Sequence, residues 1–233
     1  MRRACLLALL FLTVPQVVWA ASETIQFGGF GGLSIGAFYE DMGDLNDWLK
    51  PTGADLPNAF PQIGAHGYAI LFERLMLGGR AIITQATANG TLTDVDLYLA
   101  QGQGEVGFAV VNSQYGLAFP FIGLGVNTVD IRFKEGDDPT VWKYYRANDE
   151  VIRNTLYGTA GFSYHYPLKF LRNTDGGFGM FLGGVHAGAT FPLESKSWED
   201  GEGNELQGGP DLPFTTFFFQ VDLSFGGGTL SNE

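Results

Sequence analysis

The chain has 233 residues, a formal net charge of −12 and 34 glycines. A chain this acidic is repelled by the phosphate backbone of nucleic acids, so we expect no nucleic-acid partner. Its single cysteine, Cys5, lies in the first few residues, which excludes disulfides, cysteine nucleophiles and thiolate metal sites from the rest of the chain.

Residues 1–20 have the pattern of an export signal. Arg2 and Arg3 precede an apolar core over residues 6–14, and the segment ends with Ala20. This core is shorter than the ~20 residues of a membrane-spanning helix, which disfavours an anchor. We therefore predict cleavage after Ala20 and a single barrel domain over residues 21–233.

The first predicted strand covers residues 25–40, where apolar residues such as Leu33 and Ile35 alternate with polar ones such as Ser34. The long segment 41–62 follows. Within it, residues 44–50 predict two helical turns, since acidic residues lie at the start and a lysine at the end.

The next two strands form a hairpin with a tight connection at Glu73-Arg74. Asn89-Gly90 then predicts a two-residue turn with positive φ angles. In the strand after it, Val95 and later Val106 give two apolar sets in opposite phase. We expect a one-residue bulge between residues 100 and 104 that keeps both sets on one face.

The strand over residues 117–132 has two competing apolar sets, so its facing is left open. The last strand has the clearest pattern, because Phe219 and Leu223 alternate with Gln220 and Asp222. The eight predicted strands are 25–40, 63–72, 75–87, 94–111, 117–132, 151–166, 178–191 and 214–226.

Long connections alternate with short ones along the chain. Residues 41–62, 133–150 and 194–213 are long and polar, whereas most others are brief. The sequence therefore predicts an all-β fold: one eight-stranded, antiparallel, up-and-down transmembrane β-barrel with long loops at one rim, in the bacterial outer membrane.

This pattern resembles the small outer-membrane barrels of the OmpA and OmpX kind. Glycine-rich strand segments such as residues 64–68 and 78–80 also resemble a group of uncharacterised bacterial barrels. One departure concerns the end of the chain, because such barrels usually finish on an aromatic residue, whereas here Phe225 is followed by eight more residues.

On the predicted facings, a set of ionisable residues points into the lumen, and we interpret it as a structural polar network that fills the barrel. Mixed charges favour this over a catalytic cluster. The set consists of His66, Arg80, Glu105, Arg153, His165, His186 and Asp222.

An enzyme that acts on lipid acyl chains is one alternative. Ser163 and His165 share a face, but their spacing of ~6–7 Å along the strand predicts no direct hydrogen bond between them. No catalytic residue, cofactor or metal site is therefore predicted. The loop that contains Asp200 and Glu205 lacks the glycine of a calcium loop and is interpreted as a solvated acidic loop.

The function predicted from these features is non-enzymatic: envelope structure or surface interaction, with outer-membrane lipid around the barrel and a cell-surface or extracellular partner at loops 41–62, 133–150 and 194–213. A soluble, lipocalin-like barrel with an apolar ligand is the other alternative. The same alternation would result if the apolar residues faced the interior and the polar residues faced water. The polar residues of the predicted inner face argue against it.

Overall fold

The computed structural model describes residues 24–113, 115–134, 150–172, 177–206 and 215–231. The export-signal prediction over residues 1–20 lies outside the described residues. Within them, no helix is long and apolar enough to cross a membrane.

Eight long strands form a closed antiparallel barrel. Each strand pairs with the next one in the chain, and the last pairs with the first, which closes the cylinder. The predicted fold class is therefore confirmed. The strands are β1 (Thr24–Tyr39), β2 (Ala59–Leu71), β3 (Leu75–Ala88), β4 (Val95–Phe108), β6 (Gly116–Phe133), β7 (Glu150–Arg172), β8 (Gly177–Ser195) and β10 (Phe217–Ser231).

Two short strands extend the sheet, β5 (Val111–Ser113) beside β6 and β9 (Glu199–Asp200) beside β7. The connection after β1, residues 40–58, and residues 196–206 after β8 lie at one end, which we call the loop rim. Most of the predicted loop 133–150, and residues 207–213 of the predicted loop 194–213, lie outside the described residues. The tight connection between β2 and β3 lies at the other end. The prediction of long loops at one rim is confirmed.

The exterior of the barrel is an apolar belt. The last strand turns its large side chains outward as predicted, with Phe225 70% and Leu223 54% exposed. The open facing of residues 117–132 is also resolved, because Phe119 and Phe121 are buried whereas Ile122 is 68% exposed. Further exposed members of the belt are Leu33, Ile35, Ile63, Ile83, Val106, Leu124, Val126, Leu156, Phe162, Val185, Phe217, Phe219 and Val221.

Charged side chains begin where the belt ends toward the loop rim. Arg132 contacts Asp130 at 2.7 Å and Glu150 at 2.8 Å on the outer surface. Lys134 contacts Asp96 at 3.0 Å nearby. Since charged groups on a lipid-facing surface are costly, this collar marks the part of the strands that projects beyond the hydrocarbon.

Residues 40–58, which we call the lid, fold into the mouth of the barrel at the loop rim. They contain helix α1 (Gly43–Leu49) and a 3₁₀ turn (Lys50–Thr52), which confirms the predicted helical turns. Asn46 fixes the returning chain, because its side chain donates to the carbonyl of Leu56 at 2.9 Å and accepts from the Leu56 amide at 2.8 Å. The lid is therefore a folded cap.

The bulge predicted between residues 100 and 104 is wrong. β4 keeps one continuous register with β3 and with β6, so its phase never changes. Val95, Leu97 and Leu99 instead point inward and are buried. They are apolar because the lid covers them, and they belong to the same hydrophobic cluster as Leu45 and Leu49 of α1.

The predicted turn at Asn89-Gly90 is also not formed. Gly90 has no positive φ; among the described residues the non-glycine positive values are those of Phe72 (51°) and Glu73 (65°), at the tight β2–β3 turn. The six residues between β3 and β4 are tied to the lid, because the Leu92 amide donates to the Thr52 carbonyl at 3.0 Å. This tie to the lid takes the place of a self-contained hairpin turn.

The last strand is longer than predicted. It begins at Phe217 and continues through three glycines to Ser231, pairing with β1 and β8 along the way. At Gly227 a Cβ atom would lie 2.6 Å from the Phe178 carbonyl oxygen, so only glycine permits this close strand contact.

Candidate functional site

All three histidines of the chain meet one aspartate in the middle of the lumen. His66 on β2, His165 on β7 and His186 on β8 surround Asp222 on β10. The distances to the carboxylate oxygens are 3.7 Å from His66 Nε2, 3.3 Å from His165 Nδ1 and 3.2 Å from His186 Nε2. The four side chains are fully buried, and we call them the histidine cluster.

Two serines hold the histidine cluster in place. Ser224 Oγ lies 2.8 Å from His66 Nε2 and donates to Asp222 at 3.1 Å. Ser163 Oγ lies 2.8 Å from His165 Nε2. The expectation that Ser163 and His165 are too far apart is therefore wrong, because strand spacing describes the backbone, whereas the imidazole extends far enough from its Cβ to reach the hydroxyl.

A second network lies beside the first. Arg80 donates from Nη2 to Glu105 at 2.7 Å and from Nη1 to Gln220 at 2.7 Å. Glu105 also contacts the Tyr68 hydroxyl and the Gln103 amide. These five residues are called the arginine cluster.

Aromatic rings border both clusters. The Arg80 guanidinium lies 4.5 Å from the centroid of Phe218 and 5.4 Å from that of Phe121. On the other side, the ring of Phe30 lies 4.6 Å from that of His165, and Phe119 stacks on His165 at 5.9 Å. The polar groups are therefore enclosed between apolar layers.

Six of the seven predicted lumen residues belong to these two clusters, and Arg153 does not. Arg153 is buried nearer the loop rim, where its Nε donates to the Lys196 carbonyl at 3.1 Å and its guanidinium lies 5.6 Å from the Trp198 ring. Its role in this structure is to fasten the segment after β8 to the barrel.

The lumen set predicted from the sequence lacks Tyr68, Gln103, Gln220 and Ser224. Ser224 and Gln220 lie on the same face as Asp222, so the alternation of the last strand contained that signal. Tyr68 lies two residues from His66 and shares its face, but most of its side chain is an apolar ring. A tyrosine ring is apolar and its hydroxyl is polar, so the pattern alone does not assign it.

Glu40 is the buried carboxyl of the lid. Its Oε2 accepts from Thr216 Oγ1 at 2.8 Å, and the side chain lies just beyond the end of β1. Burial raises the pKa of Glu40 to about 7; the Thr216 hydrogen bond opposes this rise and the charge of Asp41 adds to it. Its protonation thus responds to pH near neutrality.

The geometry admits two kinds of chemistry. Ser163, His165 and Asp222 lie in the order of a hydrolase triad, with a hydroxyl beside one ring nitrogen and a carboxylate beside the other. His66, His186 and Asp222 each offer an atom within 4.8 Å of the others, which suits a metal ion. The complete burial of these groups argues against a substrate reaching them.

No protein family and no curated protein matches the chain by sequence. Among solved structures, the attachment invasion locus protein Ail of Yersinia pestis is 10% identical with a TM-score of 0.44, covering 88% of this chain and 99% of Ail. OprG of Pseudomonas aeruginosa is 16% identical with a TM-score of 0.32, covering 91% of this chain and 98% of OprG. A major outer membrane protein of Thermus thermophilus is 14% identical with a TM-score of 0.36, covering 88% of this chain and 99% of that protein. Similarities at this level carry no conclusion about function.

The chain's own geometry decides its location. A closed sheet leaves no strand edge unpaired, and the apolar belt faces outward around the cylinder. The protein is an outer-membrane β-barrel. The soluble, lipocalin-like alternative does not fit, because it would place Phe219 and Leu223 inside and Gln220 and Asp222 in water.

Proposed function

We propose that the protein is a non-enzymatic, non-conducting outer-membrane barrel that works through the folded surface of its loop rim. The observation that carries this proposal is the lid: Leu45 and Leu49 are 0% exposed in a helix that fills the mouth of the barrel. A loop that buries its own apolar residues presents a fixed surface to the outside.

The lumen is filled beneath the lid as well. Leu97 faces Ile131 and Leu99 faces Val129 across β4 and β6, and all four are buried. The arginine cluster and the histidine cluster fill the lumen further from the loop rim. An eight-stranded barrel has an interior just wide enough for side chains, so these layers leave no route for solutes.

The described part of the loop rim is acidic. Asp44, Asp47 and Asp55 are exposed on the lid, and only Lys50 opposes them, 2.7 Å from Asp47. Glu202 and Glu205 are exposed on the segment after β9. This charge favours a partner with a basic surface, and long-range attraction would guide its approach.

Conductance tests the closed lumen. The refolded barrel is inserted into planar lipid bilayers beside a general porin as a positive control. We expect no stable single-channel steps from this protein. Steady steps whose ion selectivity changes with Glu105→Gln would place an ion path through the lumen and contradict the proposal.

Binding by whole cells tests the loop rim. Cells that display the wild type, or an Asp44→Asn/Asp47→Asn/Asp55→Asn variant, are passed over surfaces coated with polylysine or with heparin. We expect the variant to lose retention on polylysine and Lys50→Gln to gain it, with heparin unaffected. Equal retention of all three proteins would show that the lid surface takes no part.

A hydrolase is the second candidate, favoured by the arrangement of Ser163, His165 and Asp222. Against it, Ser163 is 0% exposed and the carboxylate is shared by all three histidines. A fluorophosphonate probe tests this function directly: labelling of the folded barrel that is lost in Ser163→Ala would support the hydrolase over the surface function.

A further inference from the structure

We propose that His66, His186 and Asp222 bind a divalent transition-metal ion inside the lumen, with Zn²⁺ the best match. Two imidazoles and one carboxylate are a ligand set that zinc commonly takes, and a fourth position remains for water or His165. Oxygen-preferring ions such as Mg²⁺ and Ca²⁺ are disfavoured by the two nitrogen ligands.

The spacing of the ligand atoms is close to that of a tetrahedral site. Bonds of about 2.0–2.2 Å to zinc place neighbouring ligand atoms about 3.3 Å apart. His186 Nε2 lies 3.2 Å from one oxygen of Asp222, and His66 Nε2 lies 3.7 Å from the other. All three ligand atoms lie within 4.8 Å of one another, so binding one ion would draw them closer together.

Charge balance also calls for a cation at this position. Arg80 is already paired with Glu105, and within the described residues the ion-pair partners of Asp222 are the three histidines. With neutral imidazoles, a buried carboxylate at membrane depth would have no cation beside it, which is costly. A metal ion supplies that charge.

The hydrogen bonds of the rings argue against imidazolium ions at this position. His66 Nε2 has Ser224 as partner and His165 Nε2 has Ser163. Within the described part of the chain, Nδ1 of His66 and Nδ1 of His186 have no hydrogen-bond partner. A protonated imidazole needs acceptors at both nitrogens, which His66 and His186 lack, so a neutral ring whose Nε2 can bind a metal ion fits both positions better.

The site assembles only when the barrel closes, because its ligands come from β2, β8 and β10. Metal should therefore be supplied during refolding. The mature protein, made without a histidine tag, is refolded into detergent with ZnCl₂ or CoCl₂, washed with a mild chelator and analysed for metal. We expect about one ion per folded barrel and, with Co²⁺, the visible absorption of a tetrahedral nitrogen-containing site.

Three variants locate the ion. His66→Gln, His186→Gln and Asp222→Asn should each weaken binding by more than about 100-fold, beyond the loss typical of an outer partner. Thr84→Val is the matched control, since it removes a buried hydroxyl that donates to the Pro61 carbonyl but removes no ligand, and it should retain the ion. The chain has no other histidine and no cysteine after residue 5, so a nitrogen-containing spectrum comes from this cluster.

Two results would overturn the proposal. One is a folded wild-type barrel that retains no ion and gives no Co²⁺ spectrum, which would mean that a proton balances Asp222. The other is ion retention that survives in all three ligand variants, which would mean adsorption to the acidic loops. If the variants do not fold, the wild type decides: Zn²⁺ present during refolding should raise its Tm, and an unchanged Tm without a Co²⁺ spectrum overturns the site.

Discussion

Arg80 and Glu105 face each other inside the membrane-spanning part of the barrel, with Nη2 of the arginine 2.7 Å from Oε1 of the glutamate and both side chains 0% exposed. They come from adjacent strands, and Gln220 accepts a further hydrogen bond from the arginine. A buried ion pair of this kind contributes little by its formation but is costly to break, because one charge is left without its partner.

Loss of either charge of this pair should therefore destabilise the barrel strongly. We expect Glu105→Gln and Arg80→Met each to lower the free energy of unfolding by about 3–5 kcal/mol, and the double variant to recover much of that loss. Urea titration of the refolded protein measures it. The control is Arg132→Gln, whose ion pairs lie on the surface and are worth less than about 1 kcal/mol. Equal losses in Glu105→Gln and Arg132→Gln would contradict the account.

Gly184 provides the space in which the histidine cluster forms. A Cβ atom there would lie 2.6 Å from both carboxylate oxygens of Asp222 and would also collide with His165 Nδ1. We expect Gly184→Ala to cost about 1–3 kcal/mol, the range for overpacking a filled interior, and to abolish metal retention. The neighbouring Gly183 is the control, because its Cβ would meet Leu168 at an ordinary 3.4 Å. A tolerated Gly184→Ala would show that Asp222 is not held where the structure places it.

The barrel itself could be predicted from the sequence because lipid imposes strict alternation. Phe219 and Leu223 against Gln220 and Asp222 gave the facing of the last strand, and the lengths of the connections gave the two rims. For the same reason, the alternation places Val95 and Leu97 on the wrong face of their strand. Alternation reports that a face is apolar, but it does not distinguish contact with lipid from contact with the lid.

The histidine cluster could be predicted only in part. The inward facing of His165 and Asp222 follows from the patterns of their own strands. Their contact depends on the order and register of the strands. It also depends on the space left by Gly184 on a third strand, and the pattern of one strand reveals none of this. The Ser163–His165 hydrogen bond was missed because the spacing along the strand ignores how far an imidazole extends.

Glu40 should make stability depend on pH. Its folded-state pKa is about 7, raised from 4.5 mainly by burial. The folded chain thus binds this proton more tightly than the unfolded chain. The contribution of Glu40 to the free energy of unfolding is therefore complete below pH 4.5, falls as pH rises toward 7 and stays at its low value above that. The difference is at most about 3 kcal/mol. Urea midpoints at about pH 5 and about pH 8 should differ in the wild type and converge in Glu40→Gln.

The control for this pH dependence is Asp44→Asn, which removes an exposed carboxyl from the same lid. It should leave the difference between the two pH values unchanged. A Glu40→Gln protein with the full wild-type difference would assign the pH dependence to another group.

Leu223 tests the position of the membrane. It lies on β10, opposite Leu33 near the middle of β1, and is 54% exposed. Phe217, 58% exposed, is the first residue of β10 and lies at the loop rim. An arginine on the lipid face costs about 2–4 kcal/mol at the bilayer midplane and about 0–1 near the interface. Leu223→Arg should therefore destabilise the barrel in lipid vesicles by the larger amount and Phe217→Arg by the smaller, as measured by urea titration. Equal costs at the two positions would contradict this placement. They would mean that Leu223 and Phe217 lie at similar depth in the bilayer, so that the hydrocarbon is not centred near Leu223.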